Sequence, residues 1–115
     1  MSELKVLFVC TGNLDRSPTA EQIFRSYPGI QARSAGTSKL APTRISRELV
    51  EWADLILVME EEHAKFIILN YPEQRSKIKV LGIEDVYMRD DPALRQIIKQ
   101  KAEPLILNLL GERAR

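Results

Sequence analysis

Cys10 is the only cysteine in the chain, and Arg16 follows it after five intervening residues in the stretch VCTGNLDRSP, Val9 to Pro18. An apolar run, Leu4 to Val9, leads into this stretch. Ser17-Pro18 reads as a helix start, a capping hydroxyl followed by proline at the first helical position. The stretch is therefore a loop between a buried strand and a helix. Gly12 and Asn13 are residue types that tolerate left-handed dihedrals. A tight turn built on them aims successive backbone N–H groups at one centre and forms an anion nest, reinforced by the helix dipole. Arg16 adds a planar, charged fork that matches two oxygens of a phosphate. A thiol at a helix N-terminus beside an arginine ionises readily, which suits attack on phosphorus. The bland alternative is that a lone cysteine ending a buried strand is a small core residue. The strand before it, the helix start after it and the glycine and asparagine between favour chemistry.

The elements that must position this loop follow from patterning. Leu4 to Val9 is nearly all apolar, as a strand buried on both faces should be. The helix from Ser17 carries Ala20, Ile23 and Phe24 on one face and must stop by Tyr27-Pro28-Gly29. Ile30 to Ala35 is a weaker strand, and Gly36 to Pro42 is loop. A short helix over Ser46 to Trp52 presents Leu49, Trp52 and Ala53. Asp54 to Met59 is a second buried strand. Glu60-Glu61-Glu62 suits the positive end of a helix that runs to about Asn70, and the triplet reads as a solvated first turn. His63, the lone histidine, reads as a surface residue of that turn. Ile78 to Gly82 is a fourth strand, and Ile83 to Asp91 a polar loop. Asp91-Pro92 repeats the cap-plus-proline signal for a last helix, in which Leu94, Ile98, Ala102, Leu105 and Leu109 keep helical spacing. Pro104 removes an internal hydrogen bond there, so a kink or break is expected. Alternating strands and helices predict an α/β fold: a four-stranded parallel sheet with helices on both faces, three layers in all. In such sheets ligands bind outside the carboxyl ends of the strands, where Cys10 lies.

The chain has 115 residues, which predicts one domain over 1–115 with a core that needs no staple. A hydrophobic content of 44% beside 29% charge is that of an ordinary globular protein. A net charge of +1 points to neither nucleic acid nor a membrane as partner. One cysteine excludes an internal disulfide and a cysteine-rich metal site, and it suits a reducing cytoplasm. The N-terminal apolar stretch is too short for a signal peptide, and no run reaches membrane-spanning length.

VCTGNLDRSPTAE resembles the phosphate-binding signature of the low-molecular-weight protein tyrosine phosphatases. The resemblance continues in SAGTS (Ser34 to Ser38), ADLILVME (Ala53 to Glu60) and IEDVY (Ile83 to Tyr87), in the family's order. It implies a Rossmann-like phosphatase fold and hydrolysis of phosphotyrosine or a related aryl phosphate, without metal or cofactor. It implies that Cys10 is the nucleophile that forms a phosphocysteine, and that Arg16 binds the phosphate. The backbone from Thr11 through Gly12, Asn13, Leu14, Asp15 and Arg16 would wrap the phosphoryl oxygens, with Ser17 closing the site. Asn13 would hold the loop's geometry, and Ser17 would donate to the thiolate. The general acid would be Asp85, in IEDVY, with Tyr87 and Leu14 flanking the substrate. Asp91 is a second acid candidate, although its position before Pro92 also suits a helix cap.

The departures from the pattern leave other readings open. Val86 stands where proline is usual. Relatives usually carry a longer segment between the SAGTS-like stretch and the third strand, so the pocket is expected to be open on one side. A second cysteine commonly stands where Asp15 stands here. The Asp15 carboxylate is expected to face outward, as a surface residue or an arginine partner, because an inward one would repel a dianion. Arsenate reductases of this fold relay through further cysteines, so that activity would need an external thiol. Arginine-phosphate phosphatases resemble the pattern with threonine at the position of Leu14. A phosphate- or phosphopeptide-binding module with little turnover is the alternative from another class.

Overall fold

The computed structural model describes residues 3–113. The apolar run forms β1 (Leu4–Cys10), and the chain continues through α1 (Arg16–Phe24), β2 (Ile30–Gly36), α2 (Arg47–Trp52) and β3 (Leu55–Val58). It ends with α3 (Glu61–Asn70), a 3₁₀ turn (Pro72–Lys77), β4 (Ile78–Val80) and α4 (Pro92–Arg113). The four strands lie in the order β2-β1-β3-β4, and all three pairings are parallel. This is the predicted α/β class.

Strand alternation divides the core into two layers. Leu4, Val6, Phe8 and Cys10 of β1 face Ala20, Ile23 and Phe24 of α1 and Leu94, Ile98, Ala102 and Ile106 of α4. Leu7 and Val9 face the other way, toward Val50 of α2 and Ala64 and Ile67 of α3. A central strand covered on both sides cannot carry a polar residue cheaply, which is why β1 lacks the alternation of a half-exposed strand. The order also sets the site. The chain leaves β1 toward β2 on one side, while β3 lies on the other. The loops after β1 and β3 therefore diverge and open a crevice at the carboxyl ends. Backbone bonds continue past the strand ends and align these loops: Met59 N–H donates to Val9 O and Ile83 N–H to Met59 O, each at 2.8–2.9 Å.

Four expectations are corrected. Helix α1 begins at Arg16 with Asp15 at its N-cap position, and that side chain makes no capping bond. Ser17 already lies inside the helix, and its hydroxyl serves the loop. In α2 the fully buried residue is Val50, while Leu49 and Trp52 pack at the margin of the core. Only six residues long, the helix meets the sheet at one point. His63 is 1% exposed, a core residue and not a surface one. Finally, of the kink or break expected at Pro104 the break is absent, since α4 runs on through it. Buried Ala102 and Ile106 pin it to the sheet on either side of the proline.

Gly36 ends β2 in register with Cys10. A Cβ at Gly36 would stand 2.5 Å from Thr11 O and 2.7 Å from Ala41 Cβ. A backbone oxygen cannot swing aside as a side chain can, so the clash must be met by moving the loop. We expect Gly36→Ala to cost about 1–3 kcal/mol, read as a lower urea midpoint at unchanged slope. Gly12→Ala, whose added Cβ meets only the Leu14 side chain at 3.9 Å, should leave that midpoint nearly unchanged.

Candidate active site

The loop from Cys10 to Ser17 makes its turn at Asn13, which takes φ 55°. This left-handed conformation turns successive N–H groups toward one centre. The Asn13 side chain holds it there. Its Nδ2 donates to Ser17 Oγ (2.9 Å) and Ser34 Oγ (3.0 Å), and its Oδ1 accepts from Thr43 N–H (3.2 Å). The Ser34 hydroxyl passes the chain on to the Glu21 carboxylate. The sulfur of Cys10 lies 3.0 Å from Ser17 Oγ and accepts from Asn13 N–H at 3.2 Å. Ser17 Oγ accepts from Asn13, and its single proton has two acceptors in reach, the sulfur at 3.0 Å and Ala35 O at 3.4 Å.

Arg16 is the largest side chain that is fully buried, at 2% exposure. Its Nη1 donates to Glu60 Oε1 and, at 2.7 Å, to Ile83 O. Its Nε is buried without a hydrogen-bond partner, the one such side-chain atom among the described residues. A buried guanidinium N–H left unmade is costly, and an anion at the mouth of the loop would satisfy it. Asp85 Oδ1 stands 3.7 Å from this nitrogen, on a side chain that is otherwise exposed. Cys10, Gly12, Leu14, Asp15, Arg16 and Asp85 together line a cavity of about 130 Å³. That is below the roughly 300–1,000 Å³ of sites that enclose a whole ligand. It suits one small anionic group, with the rest of a substrate outside. None of these lining residues comes from the connection between β2 and β3.

Asp15 settles its own orientation. Its Oδ1 accepts the backbone N–H of Arg89 at 2.9 Å, so it partners an arginine through the main chain and not through the guanidinium. Thr19 adds a second tie: its hydroxyl donates to Asp15 O (2.7 Å) and accepts from Asp90 N–H (3.0 Å). The segment carrying Asp85 is thus fastened to the start of α1 at Ile83, Arg89 and Asp90. Asp91 is spent differently. Its Oδ1 accepts from Ala93 N–H at 2.8 Å, the bond of a residue that opens a helix. Tyr87 is half-buried against the α1/α4 core and is not among the residues lining the cavity. Leu14 (58% exposed) lies at the cavity, and Val86 (70%) follows Asp85 directly.

Sequence reading missed the first turn of α3. Glu60 is not a solvated charge: its carboxylate holds Arg16 while the residue also serves as the helix N-cap. His63 completes a capping box, its Nδ1 accepting from Glu60 N–H at 3.0 Å, and its Nε2 lies 2.8 Å from Thr11 Oγ1. Burial first, and then the Arg16 guanidinium, push the imidazole below its ordinary pKa, against an opposite pull from Glu62, Glu60 and Asp85. The signal in the sequence was the spacing of Glu60 and His63, three apart at a helix start. Glu60, Glu62 and His63 bring one donor atom each within 4.8 Å of one another. Two of the three are already engaged, so a cation there would compete with Arg16 for Glu60.

The family model described as low molecular weight phosphotyrosine protein phosphatase matches residues 5–51. The low molecular weight protein-tyrosine-phosphatase Wzb of Escherichia coli K12 is 35% identical over 101 aligned positions, covering 67% of this chain and 69% of that one. The protein-arginine-phosphatase of Bacillus subtilis is 27% identical over 145 positions, covering 89% and 97%. The solved structure of the tyrosine phosphatase Wzb from Escherichia coli K30, in complex with phosphate, superposes with a TM-score of 0.77 at 28% identity, covering 95% of this chain and 99% of that one. The family match, a relative 35% identical over two thirds of both chains and a shared fold agree: this chain belongs to the low molecular weight protein-tyrosine-phosphatase family and is a cysteine-dependent phosphatase of that type.

Proposed function

We propose that the substrate is phosphotyrosine in a protein, or a related aryl phosphate monoester, and that Cys10, Arg16 and Asp85 carry the reaction. The observation that supports this most directly is the convergence of three groups on one small cavity: the Cys10 sulfur, the unpartnered Nε of Arg16 and the Asp85 carboxyl. The phosphoryl group enters with its oxygens on the loop N–H groups and the guanidinium, and takes the place of Asp85 beside Nε. The sulfur attacks phosphorus, an S–P bond forms, and the P–O bond to the aryl group breaks. Asp85, in its acid form, gives its proton to the departing oxygen. Water then attacks the phosphocysteine, Asp85 takes the water's proton, and phosphate leaves as the S–P bond breaks. Charge is met throughout by Arg16 and backbone dipoles, fixed before the reaction begins. The scheme routes no step through a metal. No helix among the described residues is long and apolar enough to cross a membrane. We place the reaction in a reducing cytoplasm, where a lone thiol stays reduced.

Leu14 supports an aryl substrate over phosphoarginine. It is a branched aliphatic side chain at the cavity, able to pack on a ring and unable to hydrogen-bond a guanidinium. The arginine phosphatase among the relatives keeps that second reading in view. A peptide pair carrying phosphotyrosine or phosphoarginine separates them: kcat/KM should favour phosphotyrosine, and Leu14→Thr should narrow the gap. A preference for phosphoarginine in the unaltered chain would reverse the assignment.

Two substitutions test the chemistry. Cys10→Ser should abolish turnover of p-nitrophenyl phosphate and keep phosphate or vanadate binding, because the hydroxyl is a far weaker nucleophile in an unchanged cradle. A chain that binds phosphate but hydrolyses none of several aryl phosphates would instead be a binding module. Asp85→Asn should lower rates by about 10²–10⁴-fold for poor leaving groups and much less for good ones. Asp91→Asn should leave rates near the starting value, since asparagine opens a helix equally well. The opposite pattern would transfer the acid role to Asp91.

A further inference from the structure

His63 makes one hydrogen bond that its helix explains and one that it does not. The bond from Glu60 N–H to Nδ1 belongs to the capping box. The contact of Nε2 with Thr11 Oγ1 leaves the helix and reaches across to the phosphate-binding loop, 52 residues away in sequence. A backbone N–H can only donate, so Nδ1 must be the bare nitrogen. The neutral ring then carries its proton on Nε2, and that proton goes to the Thr11 hydroxyl. Thr11 is also held through its carbonyl, which accepts from Ser38 N–H at 2.9 Å. It sits immediately after Cys10, at the point where strand geometry gives way to the loop.

We propose that His63, as the neutral ring protonated on Nε2, is a positioning residue that ties the first turn of α3 to Thr11 and so keeps the phosphate-binding loop in its anion-ready shape. The inference rests on the phosphatase reading above. The same helical turn grips the loop at both ends, through His63 at Thr11 and through Glu60 at Arg16. A second proton on the ring would fall on Nδ1 and face the Glu60 N–H, which breaks the capping bond and loosens the turn. The charged groups around the ring are Arg16 from the loop and α1, Glu60 and Glu62 from its own turn, and Asp85 from the segment after β4. Burial of the ring keeps it neutral down to a pH below its ordinary titration. The capping bond that steadies the tie is therefore complete above the usual histidine range and lost as pH falls through the lowered value, while Nε2–H still faces Thr11.

The test separates the two bonds. In His63→Asn the amide oxygen can take the place of Nδ1 and keep the cap, but it cannot reach Thr11. In His63→Gln the amide nitrogen can take the place of Nε2. Thr11→Val removes the hydroxyl and leaves His63 and its cap untouched. Inorganic phosphate affinity, and kcat and KM for p-nitrophenyl phosphate, are measured for all three, for the Thr11→Val/His63→Asn double variant and for the unaltered chain. We expect His63→Asn and Thr11→Val each to weaken phosphate binding about tenfold, the scale of one hydrogen bond. The double variant should be no weaker than either alone, and His63→Gln should retain most of the affinity. The ratio of unaltered to His63→Asn affinity should be largest above the ordinary histidine range and shrink as pH falls below it, through the lowered value. Phosphate's own protonation cancels in that ratio. Thr11→Val that binds phosphate as tightly as the unaltered chain would overturn the proposal, even if His63→Asn fails to fold. So would losses that multiply to a hundredfold in the double variant, or a ratio that ignores pH. An unaltered chain that neither binds phosphate nor turns over overturns the phosphatase reading itself, which is a different result.

Discussion

The site depends on the side chain of Asn13. A non-glycine residue at φ 55° is unfavourable by sterics alone. It persists because three hydrogen bonds, to Ser17, Ser34 and Thr43, draw on the loop's own helix, on β2 and on the segment beyond it. Without that bracing the turn would relax, and the N–H groups would no longer share a centre. The sulfur depends on it twice. Asn13 N–H donates to Sγ directly, and Asn13 Nδ2 holds Ser17 Oγ, which lies 3.0 Å from Sγ. Local backbone strain at a functional loop is thus maintained by side chains that lie outside the reacting groups.

The buried guanidinium is the second constraint. Arg16 is fixed from behind by Glu60 and Ile83 O, so its plane does not have to be ordered when an anion arrives. This is preorganisation in the physical sense: the entropy of fixing a long side chain is met on folding and not on binding. Asp85, at 3.7 Å and mostly exposed, is the more loosely held partner of Arg16. Because Glu60 already pairs the buried guanidinium, Asp85 can move away from Nε without leaving a buried charge alone.

Much of this was legible in the sequence because it is local. The strand, the left-handed residue types and the Ser-Pro pair all lie within Leu4 to Pro18, and they located the loop correctly. The four strands followed from apolar runs of the right length, and their parallel arrangement from the alternation of strands with helices. What was hidden depends on contacts between distant residues. The Arg16–Glu60 pair spans 44 positions, and no periodicity marks it. Glu60 therefore looked like any first-turn acid, and His63 like any polar residue at a helix start. Ser17 was misread for a different reason. A hydroxyl before proline suits a cap or a loop contact equally; the cap reading failed, while the contact with the sulfur that the family resemblance implied is present. Pro104 shows tertiary packing overriding local preference: burial on both sides carries the helix past a lost hydrogen bond.

The connection between β2 and β3 touches the loop only from behind. Thr37 and Ser38 N–H groups bind Cys10 O and Thr11 O, and Thr43 N–H binds Asn13, yet no residue of the connection faces the cavity. Its brace and its outer span are therefore separable. So long as a few residues after Gly36 keep their bonds, the remainder can lengthen or shorten without moving an atom that meets phosphorus. Length in this segment is in effect a free variable of the architecture.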